Sequence, residues 1–105
     1  MSHILDTLAD TIAQKAAQSP DTSYTAQLLD DGLERVLRKF GEEALEVVLA
    51  ASVSENPKAE ITVESADFLY HLLVLWQQAG VAPKEVWNEL ARRQGLSGLE
   101  EKASR

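Results

Sequence analysis

The stretch EITVESADFLYHLLVLW, residues 60–76, constrains the fold more than any other part of the chain. Read as a helix at about 100° per residue, it carries Phe68, Leu69, Leu72, Leu73, Val74, Leu75 and Trp76 on almost every face. A helix that is apolar nearly all round belongs in the middle of an assembly. Yet Glu64, Asp67 and His71 fall within about 60° of one another on the same wheel. Carboxylates at such a place lose hydration, which costs on the order of several kcal/mol unless something positive compensates.

The rest of the chain divides into helices around this one. Pro20, Pro57 and Pro83 each sit at a plausible break. Residues 3–18 place Ile4, Leu5, Leu8, Ile12 and Ala16 at helical spacing. SPDTSYT (19–25) is rich in turn and capping residues and reads as a loop. Residues 26–54 read as one long helix or two joined near Gly32, with Gly41 inside at a cost of about 1 kcal/mol. SENPK (54–58) is a turn that lets Pro57 enter the first turn of the next helix. That helix, 58–79, is closed by Gly80, and another follows over 83–93. The tail QGLSGLEEKASR contains two glycines and ends in a short helical turn. There is no strand pattern and no repeat. The expectation is an all-α fold, an antiparallel bundle of about four to five helices, with residues 1–105 forming a single domain.

Charge and cysteine content exclude several classes. The 17 acidic and 10 basic residues give a net charge of −7, which argues against nucleic-acid binding, since that wants a basic face. With no cysteine and only two histidines, neither a disulfide nor a thiolate or three-histidine zinc site can be built. No apolar run approaches the roughly 18 residues of a membrane span, and the N-terminus is acidic and amphipathic, unlike a signal peptide. The expected location is cytoplasmic, with no membrane partner.

A second acidic segment, KFGEEALEVVLAA (39–51), answers the first. With Glu42 set at zero on the wheel, Glu46 falls near 40° and Glu43 near 100°, and the following turn on that face holds Leu49, Ala50 and Val53. A solvated acidic stripe would continue as polar residues; this one runs into a core. Upstream, the same face carries Arg35 and Lys39. The chain therefore has E-x-x-E at 43–46 and E-x-x-D at 64–67, on two segments joined by the Pro57 turn. Residues three apart project from one helix face, and antiparallel neighbours would oppose the two faces. Four carboxylates so gathered suit a hard divalent cation such as Mg²⁺, which prefers oxygen ligands. The competing account of each acid is a solvated position or a local ion pair. His71 fits a substrate contact or a residue behind the ligands, because Mg²⁺ prefers oxygen to imidazole.

The two acidic pairs resemble those of the MazG-like all-α nucleoside triphosphate pyrophosphohydrolases. A fuller string is similar to the phosphoribosyl-ATP pyrophosphohydrolase family of histidine biosynthesis: SYTAQLL (23–29), Gly32, KFGEEALEVVLAA, ESADFLYHLLVL (64–75) and the L-x-x-R of Leu90–Arg93. The likeness runs in order along essentially the whole chain, tail included. Two positions depart from it: Lys15 stands where arginine is common in the family, and Gln94 where histidine is.

The resemblance implies a hydrolase that splits phosphoribosyl-ATP between its α and β phosphates, with Mg²⁺, or Mn²⁺ in its place, held by Glu43, Glu46, Glu64 and Asp67. It places Glu42 beside the water to be activated, where a purely structural acid is the alternative. Lys39 lies one turn earlier and would offset phosphate charge. Arg35, Arg93, Lys102 and Arg105 are weaker phosphate candidates, each open to reading as a solvated charge. Ser23 and Thr25 offer hydroxyls to ribose or phosphate, or cap a helix. Tyr24 stacks on a base or packs. The same resemblance implies a homodimer, and Leu72, Leu75, Trp76 and Trp87 are candidates for the partner surface. Two rivals remain: a house-cleaning enzyme for noncanonical nucleoside triphosphates, and a helical adaptor whose acids are only structural.

Overall fold

Proline and glycine set the helix boundaries. In the computed structural model, which describes residues 3–96 and 98–105, six helices occur: α1 (Ile4–Ala16), α2 (Tyr24–Asp31), α3 (Leu33–Ser52), α4 (Pro57–Ala79), α5 (Pro83–Arg93) and α6 (Gly98–Ser104). There is no strand among the described residues, so the expected all-α bundle is what forms. Pro57 and Pro83 enter the first turns of α4 and α5, where the missing N–H costs nothing. Gly80 ends α4 in the left-handed conformation.

Between residues 26 and 54 the chain forms two helices. The break is Gly32, whose φ of 97° and ψ of 174° belong to a region open essentially only to glycine. Ser23 starts α2 earlier than the loop reading allows, because its hydroxyl accepts a hydrogen bond from the Ala26 amide at 3.1 Å. The tail makes a seven-residue helix rather than one turn. These two differences bring the count to six, above the four to five expected.

Helices α3 and α4 form the principal packing pair. Phe40 meets Phe68 with ring centroids 5.2 Å apart, Glu43 lies by Glu64 and Asp67, and Ala50 and Val53 share a cleft with Glu60. Numbers rise along one helix as they fall along the other, so the pair is antiparallel. Helices α1 and α2 pack against this hairpin. The core is Ile12, Leu28, Val36, Leu73 and Val74, flanked by Leu8, Leu29, Tyr70, Leu72, Leu75 and Trp76.

Only the C-terminal half of α4 is central. Its buried residues are His71, Leu73 and Val74, whereas Val63 in the first half is 60% exposed. Trp76 and Trp87, both candidates for a partner surface, contact each other edge to face at 5.7 Å. Trp87 also donates from Nε1 to Asp6 at 3.0 Å, tying α5 to α1. Exposed large apolar residues among those described include Leu45, Val48 and Leu49 on α3, Val53 just past its end and Val63 on α4, besides Ile4, Leu90 and Leu99 elsewhere. No helix of the described residues is long and apolar enough to cross a membrane.

Candidate active site

The antiparallel α3–α4 hairpin does to the carboxylates what their spacing requires. Glu43 projects from α3, and Glu64 and Asp67 project from one face of α4. One oxygen of each lies within 4.8 Å of the other two. Glu43 and Glu64 are half-buried and Asp67 is exposed. Glu46 stands one turn along α3, outside this trio, and lines an open cleft of about 400 Å³ with Glu64, Glu60 and Glu55. Partial burial, followed by the charges of Asp67, Glu46 and Glu43, lifts the Glu64 carboxyl above its usual range. All four acids of the two motifs therefore act on one locality, although three form its tight cluster.

Lys39 is the nearby base, and its ammonium bonds to Glu42 Oε2 at 3.2 Å. That hydrogen bond, with the negative charge of Glu43 among its weaker supports, raises the Lys39 pKa. Lys39 and Glu42 thus form a pair at the edge of the trio. A cluster of hard oxygen donors suits a divalent cation, so the donor set fits Mg²⁺.

The remaining sequence candidates divide between two places. His71, one turn beyond Asp67, is buried. Its Nδ1–H donates to the Asp67 carbonyl at 2.9 Å, the direction fixed because a carbonyl only accepts. That leaves Nε2 buried and without a partner. Its ring meets Tyr70 edge to face at 4.9 Å. Ser23 and Thr25 are both buried: the first caps α2, and the second shares a hydrogen bond with the Tyr70 hydroxyl. Tyr24 is 47% exposed, with the Arg35 guanidinium 6.0 Å above its ring. Arg35 is in turn ion-paired with Asp31.

Ser23, Tyr24, Thr25 and Tyr70 border a second cleft of about 320 Å³, walled on its other side by α1. Arg93 and Lys102 line neither cleft; Arg93 bonds Glu89 of its own helix, and Lys102 is exposed on α6. Sequence reasoning missed Tyr70 as a site residue and the whole α1 wall. Tyr70 had a signal, since it lies three residues after Asp67. The α1 wall had one, Lys15 at a position where the resembled family often has arginine; its other members are remote in sequence from the residues they face.

Comparison with known proteins agrees with this geometry. The sequence model of phosphoribosyl-ATP pyrophosphohydrolase matches residues 5–94. The phosphoribosyl-ATP pyrophosphatase of Rhodospirillum rubrum is 54% identical over 102 residues, covering 97% of this chain and 86% of that one. That of Paramagnetospirillum magneticum is 55% identical over 104 residues, covering 99% and 94%. That of Methylococcus capsulatus is 48% identical over 102 residues, covering 97% and 95%. The matched region contains both acidic motifs, the SYT segment and both clefts. The chain belongs to the phosphoribosyl-ATP pyrophosphohydrolase family.

Proposed function

We propose that this chain hydrolyses phosphoribosyl-ATP to phosphoribosyl-AMP and pyrophosphate, the second step of histidine biosynthesis. The observation that carries the reading is the trio Glu43, Glu64 and Asp67, converging from two helices within a chain of this family. Glu43, Glu46, Glu64 and Asp67 would hold Mg²⁺. When bound, the ion offsets polyphosphate charge and lowers the pKa of a coordinated water.

The protein groups have distinct tasks. The carboxylates of α3 and α4 supply the oxygen ligands and reject an unaccompanied polyphosphate by repulsion. Lys39 sits where it can exchange Glu42 for a phosphate oxygen. Glu42, so released, orients the attacking water and takes its proton. The water oxygen joins phosphorus at the α–β linkage, the bridging P–O bond breaks, and pyrophosphate departs.

The assembly we infer is a homodimer. Its support is the exposure of Leu45, Val48 and Leu49 on α3, of Val53 just past its end and of Val63 on α4. Apolar side chains left exposed in this number are what a subunit interface would cover. The location we infer is cytoplasmic, and the net charge of −7 opposes a nucleic-acid partner.

Pyrophosphate release from phosphoribosyl-ATP and from a panel of nucleoside triphosphates, each with and without Mg²⁺, tests this function. Mg²⁺-dependent release favouring phosphoribosyl-ATP is expected. Preference for ordinary or modified triphosphates would keep the site and transfer the chain to house-cleaning chemistry. No release from any of them would return the acids to a structural role.

A further inference from the structure

The cleft between α1 and the start of α2 has a composition unlike that of the acidic site. Thr11, Lys15, Gln18 and Thr22 give it hydroxyl, ammonium and amide groups, and Tyr24 and Tyr70 give it two aromatic surfaces. Its volume of about 320 Å³ reaches the lower end of small-ligand sites. The N-terminal residues of α2 form one wall, so the positive end of that helix lies there. Lys15 is exposed and makes no ion pair among the described residues.

Two connections join this cleft to the carboxylates. Tyr70 and Asp67 lie three residues apart on α4, about 4.5 Å along the axis. Arg35 lies 6.0 Å over the Tyr24 ring and one turn before Lys39 on α3, whose ammonium reaches Glu42 at 3.2 Å. A molecule with its polyphosphate on the acidic cluster can therefore direct its other end toward this cleft.

Phosphoribosyl-ATP has such an end, because it differs from ATP by a ribose 5-phosphate carried on the base. We propose that the α1–α2 cleft holds this phosphoribosyl group, with Lys15 on its phosphate and Thr11, Gln18 and Thr22 on its hydroxyls. This inference rests on the proposed function and adds the subsite that tells the substrate from ATP. The two ends of the substrate thereby meet opposite solutions: carboxylates with a divalent cation at one, an ammonium and a helix N-terminus at the other.

The test uses Lys15→Ala and Lys15→Arg, with Lys84→Ala on α5 as an unrelated surface control. Lys15→Ala is expected to raise KM for phosphoribosyl-ATP about tenfold or more, as loss of one charge-assisted contact would, with most of the effect in KM. Lys15→Arg should recover most of it, and Lys84→Ala should match wild type. An unchanged KM in Lys15→Ala overturns the subsite. Independently of turnover, ribose 5-phosphate titrated into the full chain should shift the amide signals of Lys15, Thr22 and Tyr24, and fail to do so in Lys15→Ala. Shifts absent from these residues, or unaltered in the variant, overturn the subsite too. A wild type that shows the ribose 5-phosphate shifts but cannot hydrolyse phosphoribosyl-ATP would instead sink the proposed reaction.

Discussion

Thr25 and Tyr70 share a hydrogen bond between their hydroxyls, joining the first turn of α2 to α4 across 45 positions of sequence. Thr25 is 3% exposed, so its hydroxyl depends mainly on Tyr70 for a partner. Tyr70→Phe should therefore destabilise the fold by about 1–3 kcal/mol, the usual cost of orphaning a buried polar group. Adding Thr25→Val to it should recover part of that loss. Urea unfolding of the two single variants and the double variant measures the coupling. Strictly additive effects would mean that the two hydroxyls do not depend on each other.

The carboxylate cluster makes a prediction of opposite sign for stability. Asp67→Asn and Glu46→Gln each remove a negative charge that raises the Glu64 carboxyl above its normal range. In chelator, both variants should melt at or above the wild-type temperature, because mutual repulsion is relieved. Both should lose pyrophosphate release almost completely. Full turnover in either variant would remove that residue from the ligand set.

Addition of metal gives the same site a direct thermodynamic readout. A ligand that binds only the folded chain stabilises it by RT ln(1 + [L]/Kd), about 2.7 kcal/mol at a hundredfold excess over Kd. Melts in Mg²⁺ or Mn²⁺ should run above those in chelator, and the gain should vanish in Asp67→Asn. Equal melting temperatures with and without both ions would count against the cation site.

Much of this arrangement is legible in the sequence because its signals are local. Pro83 and the basic pair Arg92–Arg93 bracket α5, and the helix forms over 83–93 as the pattern requires. The spacings 43–46 and 64–67 place acids on helix faces, and a single turn at Pro57 suffices to oppose them. The break at Gly32 is ambiguous in sequence because helix formers flank it and glycine is compatible with either outcome; the φ of 97° shows which one the backbone takes. The central position of α4 is legible only in part. Apolar residues all round say that a helix needs cover, but not that one chain supplies it along the whole length. The α1–α2 cleft is legible only in part: Ser23, Tyr24 and Thr25 stand out as one segment, but their meeting with Lys15 and Tyr70 joins separate segments.

The two glycines of the α2–α3 region should respond oppositely to alanine. At Gly32 no atom lies within 4 Å of the position an alanine methyl would take, so the obstacle to a side chain is the backbone alone. Gly32→Ala should cost about 1–3 kcal/mol, the range for a residue forced into that conformation. Gly41 also has open space around it but lies inside α3 with ordinary helical geometry. Gly41→Ala should stabilise by about 0.5–1 kcal/mol. Denaturation midpoints decide the matter, and a shift in the same direction for both would contradict this account.

The end of α5 supplies a pH dependence of its own. Glu89 accepts hydrogen bonds from Arg92 and Arg93, the Arg92 contact reaching 2.7 Å. Those bonds lower its pKa to about 2, against 4.5 for the unperturbed group. Between these values the unfolded chain binds a proton that the folded chain refuses, so acid favours unfolding there. The stabilisation from Glu89 is complete above about 4.5 and fades as pH falls toward about 2. Glu89→Gln should thus melt below wild type at neutral pH, and the gap should narrow as pH drops through that window. Because the pair is exposed, salt should narrow the gap as well. Paired melts of the two proteins from about pH 7 down to about pH 2.5 span the window in which the carboxyl titrates, and a gap that stays constant with pH would detach the effect from the ionisation of Glu89.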